Sequence, residues 1–247
     1  IFNTHDLQKL FEGICQIAVD LGGMKMAWIG VESNQRIVPI ACYGEGTDYL
    51  DGIFISTCDT LPESQGPTGT AFRTNQSVIC DDFQHSNSTK PWQKRAKPFN
   101  WKTLAAFPIR RASQVYAVLS VYGESVHIFD SNTIALLEDI AVDISQAIDN
   151  LDLKQKQQDT EQQLKRFELI YQTLFETMQQ GVICQDSQGN IITVNSSAEK
   201  ILGLTLARMQ KFTTKKSHWY GIHLDGTPFA PDDHPVMQAM QTAKPVY

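Results

Sequence analysis

Apolar residues recur at helical spacing over Leu7, Leu10, Phe11, Ile14, Ile17, Ala18 and Leu21. This predicts an amphipathic helix, with Thr4-His5-Asp6 as a polar cap and Gly22-Gly23 as its stop. The spacing then shortens to the period of strands. Residues 24–31 and 36–43 read as a hairpin around Glu32-Ser33-Asn34-Gln35, with Val38, Ile40 and Cys42 on one face of the returning strand. Residues 44–103 are irregular. Within them Gly66-Pro67-Thr68-Gly69 leads into a short helix at 70–74, residues 77–80 form a short strand ahead of Asp81-Asp82, and 91–97 form a short basic helix. Residues 104–109 and 114–122 are two more strands joined by Arg110-Arg111-Ala112-Ser113. The second of these is apolar on both faces, as a central strand should be.

From Phe129 to Met178 the chain has neither Gly nor Pro, and it reads as one long helix starting at Asp130 or Ser131. Two apolar stripes mark it. The first joins Leu137, Ile140, Ala141, Ile144, Ala147, Ile148 and Leu151, and part of it must pack on the preceding sheet. The second joins Leu164, Phe167, Tyr171, Leu174 and Met178 in heptad spacing. Between them lies a polar, Gln-rich stretch in which the registers of the two stripes disagree, so a phase change is expected there. A parallel homodimer would bury both stripes; the competing reading is a solvated monomeric spacer. Beyond Gly181, two short strands flank Asp186-Ser187-Gln188-Gly189-Asn190, and a short helix opens at Asn195-Ser196-Ser197-Ala198-Glu199. Ser196 and Glu199 have the spacing of a capping box.

Composition narrows the classes. A chain of 247 residues has room for two domains, and 42% hydrophobic with 19% charged residues is a globular balance. The net charge of -6 gives no electrostatic case for a nucleic-acid partner. The five cysteines are scattered without a CxxC pair, which argues against a zinc site or disulfide framework and points to a reducing, cytoplasmic compartment. No apolar run is long enough to span a bilayer. The start at Ile1 and the end at Tyr247, inside an expected strand, suggest a piece of a longer protein. No Gly-rich phosphate loop, kinase His-box, GGDEF or EAL motif occurs, so no catalytic residues, metal ligands or activity are expected of these residues.

Read in order, MAWIGV, GPTGTAFRTNQSVICDD, PWQKRA, LAAFPI and YAVLSVYGESVHIFDSNTIALLEDIAVDISQAI resemble a GAF domain covering residues 1–150. The resemblance implies an α+β fold, an antiparallel sheet with flanking helices, that acts as a small-molecule or redox sensor and a dimerisation module. The signature of cyclic-nucleotide-binding GAF domains is missing. Cys80 and His85 lie in the crossover without the surroundings of a bilin site. Cys58 and Cys80 lie where GAF-fold free methionine sulfoxide reductases carry cysteines, but without their motifs, and they read as buried small hydrophobes. Aromatic and polar residues of the crossover, Tyr43, Asp81, Asp82, Trp92, Trp101 and Thr103, are the candidate ligand-binding set, suited to a flat organic molecule. The competing reading is that Trp92 and Trp101 simply cover the sheet.

The string TMQQGVICQDSQGNIITVNSSAEKILGLT resembles the start of a PAS domain on Gly181, Asp186, Gly189, Asn195 and Ala198, with Asn195 capping a helix and tying a loop. The following HWYGIHLDGTPFAPDDHPVMQAMQTAKPVY resembles the second half of the PAS helical region, with a turn at Leu224-Asp225-Gly226, a helix capped by Asp232 or Asp233, and a third strand starting at Val246. The flavin-binding Cys motif of light-sensing PAS domains is absent; His234 lies on the helix where a haem would need its axial ligand, but its Asp-Asp-His-Pro setting is that of a helix cap, and His218 and His223 read as loop residues, so the cofactor stays open. The expected organisation is a GAF domain at 1–150, a helical coiled-coil linker at 151–178 and a PAS domain incomplete at its C-terminus at 179–247. The resemblance implies the sensory region of a bacterial signalling protein: a homodimer that binds a small ligand and couples it to an output domain. That output would be a GGDEF diguanylate cyclase, with or without a phosphodiesterase, or next a histidine kinase. Alternatives are an enzyme like the free methionine sulfoxide reductases, or a ligand-free scaffold.

Overall fold

The computed structural model describes residues 4–186 and 188–211, with 222, 223, 225–228, 238, 239, 242 and 244–246. The chain divides into two compact units, Ile1–Gln158 and Asp159–Tyr247.

In the first unit, α1 (Thr4–Asp20) precedes the hairpin of β1 (Met26–Ser33) and β2 (Arg36–Gly44). The crossover carries α2 (Pro67–Thr74), β3 (Val78–Cys80) and α3 (Lys90–Ala96). Then come β4 (Thr103–Arg111), β5 (Gln114–Gly123) and the 47-residue α4 (Ser131–Thr177). The strands form one antiparallel sheet in the order β2-β1-β5-β4-β3, an α+β architecture with β5 central. Both hairpins turn through two residues at positive φ, Asn34 and Gln35 in one and Ala112 and Ser113 in the other. Such turns match the right-handed twist of the strands they join.

Two expectations are corrected here. The helix of the GPTG segment starts three residues early, because Pro67 supplies a preset first-turn φ. Val38, Ile40 and Cys42 do not share a face. The β1–β2 register shifts between Ile29 and Gly30, so Val38 lies across from Val31 while Cys42 lies across from Trp28. Val31 and Trp28 are three apart on β1 and face opposite sides of the sheet. The unpaired residue of the bulge is Ile40.

One face of the sheet is covered by α1 and the first half of α4. Leu7, Phe11, Cys15 and Ala18 from α1 meet Ala27, Ile29, Leu119, Val121, Phe107 and Ile109 from the strands, and Leu137, Ala141, Ile144 and Ile148 from α4. Each Leu, Ile or Phe removed from water here contributes about 1.5–3 kcal/mol. Asp130 caps α4: its Oδ1 accepts the Thr133 N–H and its carbonyl that of Ile134.

A polar clasp lies at the tip of the β4–β5 hairpin. Ser145 Oγ accepts the N–H of Arg110, at the bulge between Ile109 and Arg110, and donates to the Ala141 carbonyl. Asp149 Oδ1 accepts the Ala112 N–H. Asp152 takes Arg111 in a two-pronged pair, both contacts at 2.7 Å. Ser145, Asp149 and Asp152 are spaced four and three apart, on one helix face. Each holds one residue of the turn.

In the second unit β6 (Ile183–Gln185) and β7 (Ile191–Val194) form a hairpin, followed by α5 (Ser196–Leu202) and α6 (Leu206–Met209). Asp186 organises the turn by accepting the N–H groups of Gln188 and Asn190, and Gly189 supplies a φ of 82°. Val194, Ala198 and Met209 are the small core. Asn195 is fully buried with every polar valence of its amide used. Its Nδ2 donates to the carbonyls of Phe175 and Gln180, and its Oδ1 accepts from Val182 and Ala198. It caps α5, and the capping box expected of Ser196 and Glu199 does not form. Ser196 is bound instead by the Glu176 carboxylate through its N–H and its hydroxyl, and Glu199 accepts the Leu206 N–H.

The turn at Asp225 and Gly226 is present, closed by an Ile222–Pro228 bridge. Val246 is not in a strand. His218, Asp232, Asp233, His234 and Tyr247 lie outside the described residues. Among the described residues no helix is long and apolar enough to cross a membrane.

Candidate functional site

Strand pairing decides which side chains share the face of the sheet turned away from α1 and α4. The register aligns Met26, Tyr122, Leu104 and Cys80 in one row and Trp28, Ser120, Ala106 and Val78 in the next. Met26, Tyr122, Leu104 and Trp28 are large, while Ser120 and Ala106 are small. The small pair makes room for α2, whose Thr68 Oγ1 lies 2.9 Å from Ser120 Oγ and whose Ala71 packs on Ala106 and Val118. The large group is roofed by the crossover, which contributes Tyr49, Ile53, Ile55, Phe83, Trp92 and Trp101 to the same cluster.

Most rings of this layer meet edge to face or tilted. Trp101 lies 4.5 Å from Tyr122 and 5.1 Å from Tyr49, Phe83 lies 5.8 Å from Tyr122, and Phe99 stacks on Trp101 at 4.7 Å. The Trp92 indole donates to the Phe54 carbonyl at 3.0 Å. A side chain at Gly66 would place its Cβ 2.5 Å from the Trp92 ring, so glycine here lets the indole close over the sheet.

What remains between Tyr49, Ile55, α2, Phe83, Trp92, Leu104 and Tyr122 is a cavity of about 10 Å³. That is the space of about one water molecule. Burial pushes the Tyr122 phenol up to about 12, partly offset by the Tyr49 hydroxyl and the Trp28 indole, and burial raises Tyr49 as well. Trp28 Nε1 is buried close to the Tyr122 oxygen but makes no hydrogen bond of acceptable geometry.

The sequence-derived set separates into three places. Trp92 and Trp101 share the aromatic layer. Thr103 is buried at the end of β4, where its hydroxyl donates to the Ser125 carbonyl. Tyr43 is exposed on β2 and lines an open groove with Asp20, Met24 and Lys25. Asp81 and Asp82 follow β3 on the surface, where Asp82 holds His85 Nδ1 at 2.9 Å and Asp81 lies 3.9 Å from His127. The layer's other members, Trp28, Tyr49, Phe83 and Tyr122, were not singled out. Met26 and Trp28 alternate with Ala27, and that period was the available signal.

The reading of Cys58 as buried is corrected. It is half-buried, and a hydrogen bond from Thr60, 3.2 Å away, lowers its thiol pKa. Cys80 is buried and its thiol is raised by desolvation. Cys42 is exposed at the β2 edge. Among the described residues no group of three or more His, Cys, Asp or Glu could hold a metal.

The first unit is therefore an α+β domain, a five-stranded antiparallel sheet with helices on one face and an aromatic-roofed crossover on the other. The family model for the GAF domain matches residues 4–149, and the chain belongs to that family. The family model for the PAS domain matches residues 169–230. Similar solved structures include the GAF domain/HD domain protein from Geobacter sulfurreducens, at 14% identity and TM-score 0.50 over 60% of this chain and 95% of that one. The GAF domain region of a Geobacter sulfurreducens PCA protein is similar at 24% identity and TM-score 0.49, covering 59% and 94%. A free methionine-R-sulfoxide reductase from Neisseria meningitidis is similar at 14% identity and TM-score 0.49, covering 60% and 81%. Identities this low speak to fold alone. No curated protein matches the chain.

Proposed function

We propose that this chain is the sensory region of a bacterial, cytoplasmic signal-transduction protein. In this reading the GAF domain takes a small ligand on its crossover face. The PAS domain follows, and α4 acts in a homodimer as the rod that couples both to an output domain. The output proposed is a GGDEF diguanylate cyclase, with or without a phosphodiesterase domain, and next a histidine kinase. The chain's own part is regulatory and not catalytic.

One observation carries the reading. The helix that closes the GAF sheet with Leu137, Ala141, Ile144 and Ile148 continues without a break to Thr177, where it leads into the PAS match. Over its second half Leu164, Phe167, Tyr171 and Leu174 are more than half exposed in the single chain. An apolar stripe of that length left in water supports pairing with another helix.

Native mass spectrometry of the protein purified from its own host is the test. A small-molecule mass increment, lost on denaturation and accompanied by a change in tryptophan fluorescence, is expected. A bare chain mass, with no thermal shift from nucleotides, amino acids or flat heteroaromatics, would overturn the sensor reading in favour of a ligand-free scaffold.

A further inference from the structure

Between Asp82 and Glu124 the chain carries seven Lys or Arg and no Asp or Glu, in a protein whose net charge is -6. We infer that the outer face of α3 is a docking surface for an anionic lipid bilayer. Such docking requires neither the small ligand nor the dimer proposed above.

α3 has two faces. On the inner one, Trp92 and Ala96 are buried in the aromatic layer. At about 100° per residue, Lys90 and Lys94 lie about 160° around the helix from Trp92. Lys97 keeps helical dihedrals, φ -54° and ψ -38°, and extends the row by three residues. The three lysines thus share the side turned away from the sheet, and all three are exposed. Neighbours in such a row have Cβ atoms about 5–6 Å apart. Among the described residues none of the three forms an ion pair. Arg95 lies on the flank, where it donates to the Asp51 carbonyl. Pro91 and Pro98 are exposed beside the row, and Phe99 is half-buried at its end, so the charges rise from an apolar base.

The chemistry of the row chooses among anionic partners. A lysine ammonium is a compact point charge on a flexible stem, whereas a guanidinium fork matches one carboxylate or phosphate at a time. Three lysines in line, with no arginine among them, suit a diffuse plane of headgroup phosphates better than the fixed carboxylates of a folded protein. The row is also convex. None of its lysines lines the grooves along β2 or beside β3, where an extended peptide would find walls on both sides. A flat negative surface can meet all three at once. Each lysine held near such a surface strengthens binding about fivefold, so the row gives about a hundredfold preference for anionic over neutral bilayers. The bilayer would then lie against the helix whose other side closes the aromatic layer.

Sedimentation of the purified 247-residue protein with lipid vesicles is the test. The protein should pellet at low salt with phosphatidylcholine vesicles containing about 30% phosphatidylglycerol, stay in solution with phosphatidylcholine alone, and be released as salt approaches about 0.5 M. Lys94→Gln with Lys97→Gln should weaken the association about twenty-five-fold, while Lys94→Arg with Lys97→Arg, which keeps the charge, retains it. Lys9→Gln removes an exposed charge of the same kind from α1, on the opposite face of the sheet, and should change the association by less than about twofold. Equal binding to neutral and anionic vesicles, or full binding by the glutamine double variant, overturns the proposal. So does failure to pellet with anionic vesicles; binding of poly-glutamate or duplex DNA through the same lysines would then make the partner an acidic protein or a nucleic acid.

Discussion

Tyr122 sits in the middle of the aromatic layer with its phenol held neutral by burial, and that makes the first unit sensitive to alkali. The unfolded chain releases this proton near the ordinary tyrosine pKa of about 10. The folded chain keeps it to about 12. Between those values the unfolded state binds fewer protons, so stability is complete below about pH 10 and falls as pH rises toward 12. Tyr122→Phe should flatten that alkaline loss in urea titrations. Residues of this kind were hard to read in the sequence. Tyr49 and Phe83 lie in irregular segments without a period, and only the folded crossover brings them over Trp28. Asn195 was legible because a cap acts on its own helix. The Ser196–Glu199 spacing misled because Glu176, twenty residues away, claims the serine.

Among the elements, α4 shows how local and distant signals combine. Its length and its first stripe were readable because an amphipathic helix declares the face it buries. The clasp was not, because Ser145, Asp149 and Asp152 are ordinary polar residues until the hairpin tip arrives beside them. Their contributions differ. The Arg111–Asp152 pair is about one-third exposed on both sides, so water screens it, and a double-mutant cycle should give a coupling of about 0.5–1 kcal/mol. Ser145→Ala should cost more, about 1–3 kcal/mol, because the Arg110 N–H would lose its partner in a half-buried bulge. Amide hydrogen exchange separates the two. The Arg111→Ala variant should exchange faster at Asp149 and beyond, and Ser145→Ala also at Arg110 and its neighbours in the sheet. Equal and uniform effects would show that the clasp does not act as three separate ties.

Across the whole molecule, two compact units with separate cores should unfold in two transitions. Asn195→Ala is the probe. It strips four backbone groups of their partner and should lower the second unit's transition by about 2–4 kcal/mol, leaving the first unchanged by urea titration. A single shifted transition would mean that the two units share their stability through α4.

The closed aromatic layer also sets a timetable. If the domain takes a flat molecule as proposed, room beneath the crossover opens only after the Trp92 indole lets go of the Phe54 carbonyl and swings from Gly66. Its apparent affinity is then the intrinsic one scaled by the fraction of time the layer stands open. The observed binding rate should therefore climb with ligand concentration and level off at the opening rate. A response built on this domain would keep the pace of one tryptophan rather than that of diffusion.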